Sequence, residues 1–168
     1  MKNSIKSIIV LSAICIVVAS LLAAVNHITA PIIERAALLA EQESLRKVLE
    51  GAEEFEELSL PEGAPETVTG VYREINGVGY AVTIVTQSNY SQAPMSFTVG
   101  FTPKLTIADI EITNYSETKN FENYPDSFIG KDNTLSGIDL YSGVTYSSQA
   151  FKDAVADAFA ALEEVAEQ

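Results

Sequence analysis

A long uncharged run near the N-terminus constrains this chain more than any other feature. No Asp, Glu, Lys or Arg occurs from Ser7 to Asn26. As a helix, the apolar run Ile8 to Val25 would reach about 27 Å at roughly 1.5 Å per residue, close to the ~30 Å hydrocarbon core of a bilayer. We therefore expect one membrane span. Because Lys2 and Lys6 precede it and its far flank is acidic, the positive-inside bias predicts a cytoplasmic N-terminus and an extracytoplasmic remainder from about Ala30.

A cleaved signal peptide is the competing interpretation of this run, because both begin with a basic stretch and an apolar core. The run is longer than a typical signal core of ~7–15 residues, and Leu22-Ala23-Ala24 is a weak cleavage site. Cys15 follows Ile14, whereas a lipoprotein cysteine follows a small residue. These points favour an uncleaved anchor.

The rest of the chain is strongly acidic. Setting Lys2 and Lys6 aside leaves 8 basic against 23 acidic residues, a formal charge of about −15. Nucleic acid is therefore excluded as an expected partner. The single cysteine, Cys15, lies inside the apolar run, so the remainder can form neither an internal disulfide nor a cysteine-based metal site. The single histidine, His27, lies at the membrane boundary, so no Ser-His-Asp arrangement is expected in the soluble part.

The chain divides by pattern into three segments, residues 1–30, 31–66 and 67–168. The first is the cytoplasmic start and transmembrane anchor. In the second, Pro31 stands where a new helix can start, and leucines at helical spacing predict an amphipathic helix from Pro31 to Leu49. The acidic stretch Gly51 to Glu66 holds two prolines and predicts an exposed loop.

The third segment has the pattern of an α+β domain. Four β-rich runs predict an antiparallel sheet, at Val68–Tyr72, Tyr80–Val85, Met95–Phe101 and Leu105–Thr113. Asn76-Gly77 between the first two is a strong hairpin signal. A polar loop follows from Asn114 to Ser136, with one helical turn near Asp126–Ile129. Apolar residues at helical spacing from Phe151 to Val165 then predict a C-terminal helix that packs on one face of the sheet.

The segment Asp139 to Ser148, just before that helix, is the candidate functional site. Orphan amides and the positive end of the dipole converge at a helix N-terminus, and Gly143 permits close backbone approach, so this place suits a phosphate. Thr145 would lie beside that phosphate. The alternative is a serine-rich turn in which Ser147 or Ser148 simply caps the helix.

The segment resembles the flavinylation motif of the RnfG/NqrC family of FMN-binding subunits. That motif runs Asp-x-x-Ser/Thr-Gly-Ala-Thr, and this chain matches it at Asp139, Ser142, Gly143 and Thr145, with Val144 in place of alanine. The resemblance implies that a flavin transferase of the ApbE type attaches FMN through its phosphate to Thr145. It implies a cofactor site that also includes Tyr146 and Ser147.

The order of elements also resembles that family, with one N-terminal span before the domain and the motif before the last helix. The family usually carries Glu-Thr-Pro-Gly-Leu-Gly in a loop that contacts the flavin. This chain keeps Glu117 and Thr118 and then reads Lys119-Asn120-Phe121, losing the proline and both glycines. Val144 is a second departure, which could crowd the pocket or slow flavinylation.

The resemblance implies an electron-carrying subunit of an Rnf-type complex, a membrane-bound ion-translocating ferredoxin:NAD oxidoreductase. Its partners would be the other membrane subunits and the flavin transferase, and it would be a redox subunit rather than a catalyst alone. Two alternatives stay open. One is a free-standing membrane-anchored flavoprotein, and the other is a non-redox membrane-anchored assembly module.

Overall fold

A computed structural model gives the fold of residues 2–90, 94–116, 121 and 123–166, with side chains from residue 6 onward except at residue 34. Contacts divide the chain into two compact units, Met1–Glu41 and Gln42–Gln168. The second unit contains the sheet, the C-terminal helix and the candidate site. It begins at Gln42, whereas the sequence pattern places the start of the α+β domain at residue 67.

A single long helix, α1, runs from Lys2 to Val48. The prediction that a new helix starts at Pro31 is wrong, because Pro31 lies inside α1. An interior proline removes one backbone donor and its ring crowds the carbonyl one turn earlier, which kinks some helices and ends others; here the helix continues through it. Thr29 keeps its side chain bonded to the helix, donating from Oγ1 to the carbonyl oxygen of Val25 at 3.0 Å.

Part of α1, within Lys6–Val48, is long and apolar enough to cross a membrane, with a mean hydropathy of 3.0 in its most apolar window. A signal sequence near an N-terminus can also meet this criterion of length and composition. The structure thus agrees with a membrane anchor as far as length and composition go.

The sheet has five antiparallel strands in the order β1-β2-β3-β4-β5. The strands are β1 Phe55–Leu58, β2 Val68–Glu74, β3 Tyr80–Gln87, β4 Pro94–Phe101 and β5 Ile107–Asn114. The four predicted strands are confirmed, but the prediction of a loop throughout Gly51–Glu66 is wrong at β1. Half of the residues of β1 are acidic, so its composition does not favour a strand, and the strand is stabilised by its pairing with β2. Arg73 Nη2 lies 2.7 Å from Glu56 Oε2 across that pair.

The C-terminal helix, α2, runs from Thr145 to Ala166 and packs on β2 and β3. Between α2 and the sheet lies an aromatic core in which the Phe151 ring is central. Its centroid is 4.4 Å from that of Phe97 and 5.3 Å from that of Phe128. Phe128 ends a short 3-10 turn, Pro125–Phe128, where the sequence predicted one. The α+β prediction is confirmed.

The end of α1 covers part of the opposite face of the sheet. Leu45, Val48 and Leu49 are buried there in a second apolar cluster with Ala81. A hydroxyl pair also joins α1 to β4, because Ser44 Oγ lies 2.9 Å from Thr98 Oγ1. The last turns of α1 therefore belong to the core of the second unit.

Candidate functional site

Thr145 is the first residue of α2, and its side chain is exposed. The serine-cap interpretation is wrong, because α2 begins before both serines. Ser147 and Ser148 lie inside the first turn and are buried, at 2% and 0% exposure. The first α-helical hydrogen bond runs from the N–H of Ser148 to the carbonyl oxygen of Val144, at 2.9 Å. Amides before Ser148 lie outside that ladder, at the helix end where anions bind.

The loop Asp139–Val144 leads into this helix end through a tight turn. The Val144 N–H donates to the carbonyl oxygen of Tyr141 at 3.2 Å. Gly143 completes the turn with a φ of +87°, a left-handed conformation that costs side-chain-bearing residues about 1–2 kcal/mol. The glycine of the motif is thus required by the backbone. Asp139, Ser142 and Gly143 are all exposed on this loop.

Val144 is only partly exposed and packs against the main core cluster. Its side chain is therefore accommodated toward the core.

The loop is held to α2 by two side chains of that helix. Ser148 Oγ accepts a hydrogen bond from the Tyr141 N–H at 3.1 Å and donates to the carbonyl oxygen of Thr145, also at 3.1 Å. One turn further on, Lys152 Nζ donates to the carbonyl oxygen of Ile138 at 2.7 Å. The motif is consequently a preformed turn with both ends fastened.

Tyr124 supports the same turn from the segment before the motif. Its hydroxyl donates to the carbonyl oxygen of Ser148 at 3.4 Å, and its ring centroid is 6.0 Å from that of Tyr141. Burial, with the negative charges of Asp153 and Asp139 adding to it, raises the pKa of Tyr124 to about 12. The phenol therefore stays protonated at neutral pH and remains a donor.

A groove of about 220 Å³ is lined in part by Tyr146, the residue that follows Thr145 in the sequence. It lies between α2 and the end of β3, and two of its lining residues are joined by a hydrogen bond of 2.7 Å from Thr67 Oγ1 to Asp157 Oδ2. A second groove, of about 350 Å³, shares Thr67, Thr86 and Gln87 with it. The first groove is lined by Thr67, Thr86, Gln87, Asn89, Tyr146, Gln149, Ala150, Asp153, Ala154 and Asp157.

Most of the predicted site residues are brought together at the start of α2, namely Asp139, Ser142, Gly143, Val144, Thr145, Tyr146 and Ser147. Glu117 and Thr118, predicted to contact the flavin, lie outside the described residues. Sequence reasoning missed Tyr124, Lys152 and the groove, because their contacts join separate elements. In the part of the chain that the structure describes, no group of three or more His, Cys, Asp or Glu side chains could hold a metal ion.

Together, the fold and this helix end define an α+β domain with a site suited to a phosphate-bearing cofactor. Comparison with known families identifies that cofactor. Residues 90–160 match the model of the FMN-binding domain. The match spans β4, β5, the motif and most of α2, so FMN is the cofactor of this domain, and its role is in flavin-based electron transfer. No curated protein matches the chain significantly.

The residues present fit an FMN phosphate. An exposed hydroxyl stands at the first residue of a helix, beside a glycine whose positive φ holds the turn. The helix end offers backbone amides and the positive end of the dipole. The neighbouring groove offers an exposed aromatic ring, Tyr146, with polar groups around it.

Proposed function

We propose that this chain is the electron-carrying subunit of a membrane-bound Rnf-type complex, a ferredoxin:NAD oxidoreductase that translocates ions, with FMN esterified to Thr145. One observation carries the proposal. The match to the FMN-binding domain includes the motif Asp139–Thr145, and its threonine lies exposed at the start of α2. The resemblance of that motif to the RnfG/NqrC flavinylation motif supports the narrower assignment.

Attachment of the cofactor is a phosphoryl transfer to the threonine. Thr145 Oγ1 forms a bond to the phosphorus of the FMN half of FAD, the pyrophosphate bond breaks, and AMP leaves. The hydroxyl proton passes to a base of the flavin transferase. Within this chain, the amides at the start of α2 and the positive end of its dipole stabilise the phosphate charge.

The groove beside Tyr146 is the proposed position of the flavin ring system. Tyr146 presents an aromatic face, and Gln149 and Thr86 present hydrogen-bonding groups. FMN supplies the redox chemistry, while the protein supplies binding, orientation and electrostatics. The chain by itself would transform no substrate.

The rest of the assignment concerns location and partners. We propose that α1 is an uncleaved anchor with a cytoplasmic N-terminus, so that the FMN domain is extracytoplasmic, as the flanking charges indicate. Its partners would be other membrane subunits of the complex and, during maturation, the ApbE-type transferase. Covalent attachment would prevent loss of a cofactor that is not readily replaced outside the cytoplasm.

A second candidate is a free-standing membrane-anchored flavoprotein of the same domain type. The acidic surface favours neither candidate, because charge complementarity can serve a soluble partner or a subunit equally. Purification in mild detergent from native membranes separates them. Stoichiometric membrane subunits support the complex, and an isolated flavoprotein supports the alternative.

The central test is covalent loading. The full chain is produced with an ApbE-type transferase, denatured, and examined by in-gel flavin fluorescence and intact mass. We expect a mass gain of one FMN less one water. Thr145→Ala should abolish both signals, whereas Thr145→Ser should keep them. Thr113→Ala, at an exposed threonine on β5, is the matched control.

Unmodified wild-type protein in the presence of active transferase and FAD would contradict the covalent attachment. Such a result would favour the non-redox assembly module if the protein also failed to bind free FMN.

A further inference from the structure

The buried serine at the start of α2 has contacts that extend beyond its own helix. Ser148 is fully buried, yet its three polar atoms all bond to segments around the attachment position. Its hydroxyl contacts Tyr141 and Thr145, and its carbonyl oxygen accepts from Tyr124. Its N–H bonds to Val144, directly before the threonine.

The hydroxyl contact to Tyr141 matters most, because it crosses from the helix to the loop. Tyr141 belongs to the motif, whereas Ser148 belongs to the helix that the motif begins. The same hydroxyl donates to the backbone carbonyl of Thr145. A single side chain therefore connects Tyr141, in the loop before the threonine, to the threonine itself. Gly143, with its positive φ, lies between these two residues in the sequence.

We propose that Ser148 is a positioning residue for cofactor attachment, whose hydroxyl fixes the Asp139–Val144 loop so that the Thr145 hydroxyl is presented in one orientation. The inference rests on the proposed function. It assigns a role in transfer, through geometry, to a residue that touches neither FAD nor the transferase, since it is fully buried. Rates of group transfer depend steeply on such placement, and a misplacement of about 1 Å can cost roughly 100-fold.

The test compares transfer kinetics in the full chain. Wild-type and variant chains in detergent are incubated with purified transferase and FAD, and the initial rate of covalent flavin gain is measured against chain concentration. For Ser148→Ala we expect kcat to fall about tenfold or more, with KM for the chain changed by less than about twofold. Ser148→Thr, which keeps the hydroxyl, should recover most of kcat.

Ser44→Ala is the matched control, because it removes another buried serine hydroxyl with a defined partner, on the opposite face of the sheet. It should leave kcat at the wild-type value. A Ser148→Ala chain that is loaded as fast as wild type, while wild type is loaded at Thr145, overturns the positioning role and leaves the proposed function standing. A wild-type chain that gains no flavin overturns the proposed function, and this inference with it.

Amide exchange provides a test that does not depend on a variant that folds. In the wild-type chain, the Tyr141 N–H should exchange with solvent much more slowly than the amides of the exposed loop residues around it, as its bond to a buried acceptor requires. Exchange at the rate of an unprotected loop amide overturns the proposal.

Discussion

Gly143→Ala tests whether the left-handed turn before the threonine is needed for cofactor attachment. The φ of Gly143 is +87°, and a side-chain-bearing residue pays about 1–2 kcal/mol to adopt that conformation. The loop then either keeps its native turn with this strain or rebuilds to another conformation. If transfer requires the native turn, 1–2 kcal/mol lowers the competent population, and hence the rate of flavin attachment, by roughly 5- to 30-fold.

The loss of stability and the loss of attachment rate can be measured separately. Thermal unfolding of the full chain in detergent, followed by near-UV circular dichroism, should show a Tm lower by roughly 3–6 °C for a domain of this size. The initial rate of covalent flavin gain should fall by the factor given above. Gly143→Asn should recover much of both, because asparagine tolerates positive φ better than alanine does.

Gly137→Ala is the matched control for the strain. Its φ is +77°, and a Cβ added there would meet only Lys131 Nζ, at 3.9 Å, so the penalty is conformational and not steric. We expect the same loss of stability with an unchanged rate of flavin attachment. Equal loss of rate in the two variants would refute the argument, because general destabilisation would then explain the effect.

Three further predictions concern stability. Glu74 is buried, which raises its pKa, but hydrogen bonds from Val78 and Asn76 outweigh this effect and lower the pKa overall. Its stabilising contribution is therefore present at neutral pH and lost as pH falls below about 4. In an acid titration followed by circular dichroism, Glu74→Gln should lower the stability at pH 7 and reduce its dependence on acid. The raised pKa of Tyr124 affects stability at alkaline pH: the contribution of the phenol is fully present below about pH 10 and is lost toward pH 12. Tyr124→Phe should remove this alkaline loss of stability. A chain beginning at residue 42 should unfold cooperatively, whereas one beginning at residue 67 should not. The shorter chain lacks β1 and the buried side chains of Leu45, Val48 and Leu49, at the end of α1 and directly after it. Each such side chain contributes about 1.5–3 kcal/mol against a typical total of ~5–15 kcal/mol.

Local chemistry explains which parts of the fold the sequence could predict. The β2–β3 hairpin was predictable because its signal is contained in two adjacent residues, and Gly77 has the positive φ that the turn needs. Strand β1 was missed because Glu56 and Glu57 make it look like a solvated loop. Its order comes from pairing with β2, including the Glu56–Arg73 ion pair, and pairing between distant segments has no local signal.

The start of α2 shows the same limit within a few residues. Serine is a common N-cap, and the sequence offered two candidates, yet the helix begins at Thr145 and both serines are buried inside it. Ser148 does not cap the helix, because its hydroxyl accepts a hydrogen bond from the Tyr141 N–H of the loop and not from an amide of its own first turn. Propensity ranks residues for a position, but tertiary contacts decide which position the helix starts from.

In the candidate site, too, some parts could be predicted from the sequence and others could not. Its attachment residue was accessible to sequence reasoning because a motif, a glycine turn and a helix start are contiguous, and a phosphate interacts with just such a contiguous backbone segment. The surroundings of a flavin ring are assembled differently. The groove beside Tyr146 needs the ends of β2 and β3 next to α2, and the Thr67–Asp157 bond in it joins residues that are ninety positions apart. The bond to the phosphate can therefore be proposed from a short stretch of sequence, whereas the environment that would set the properties of the ring requires the folded chain.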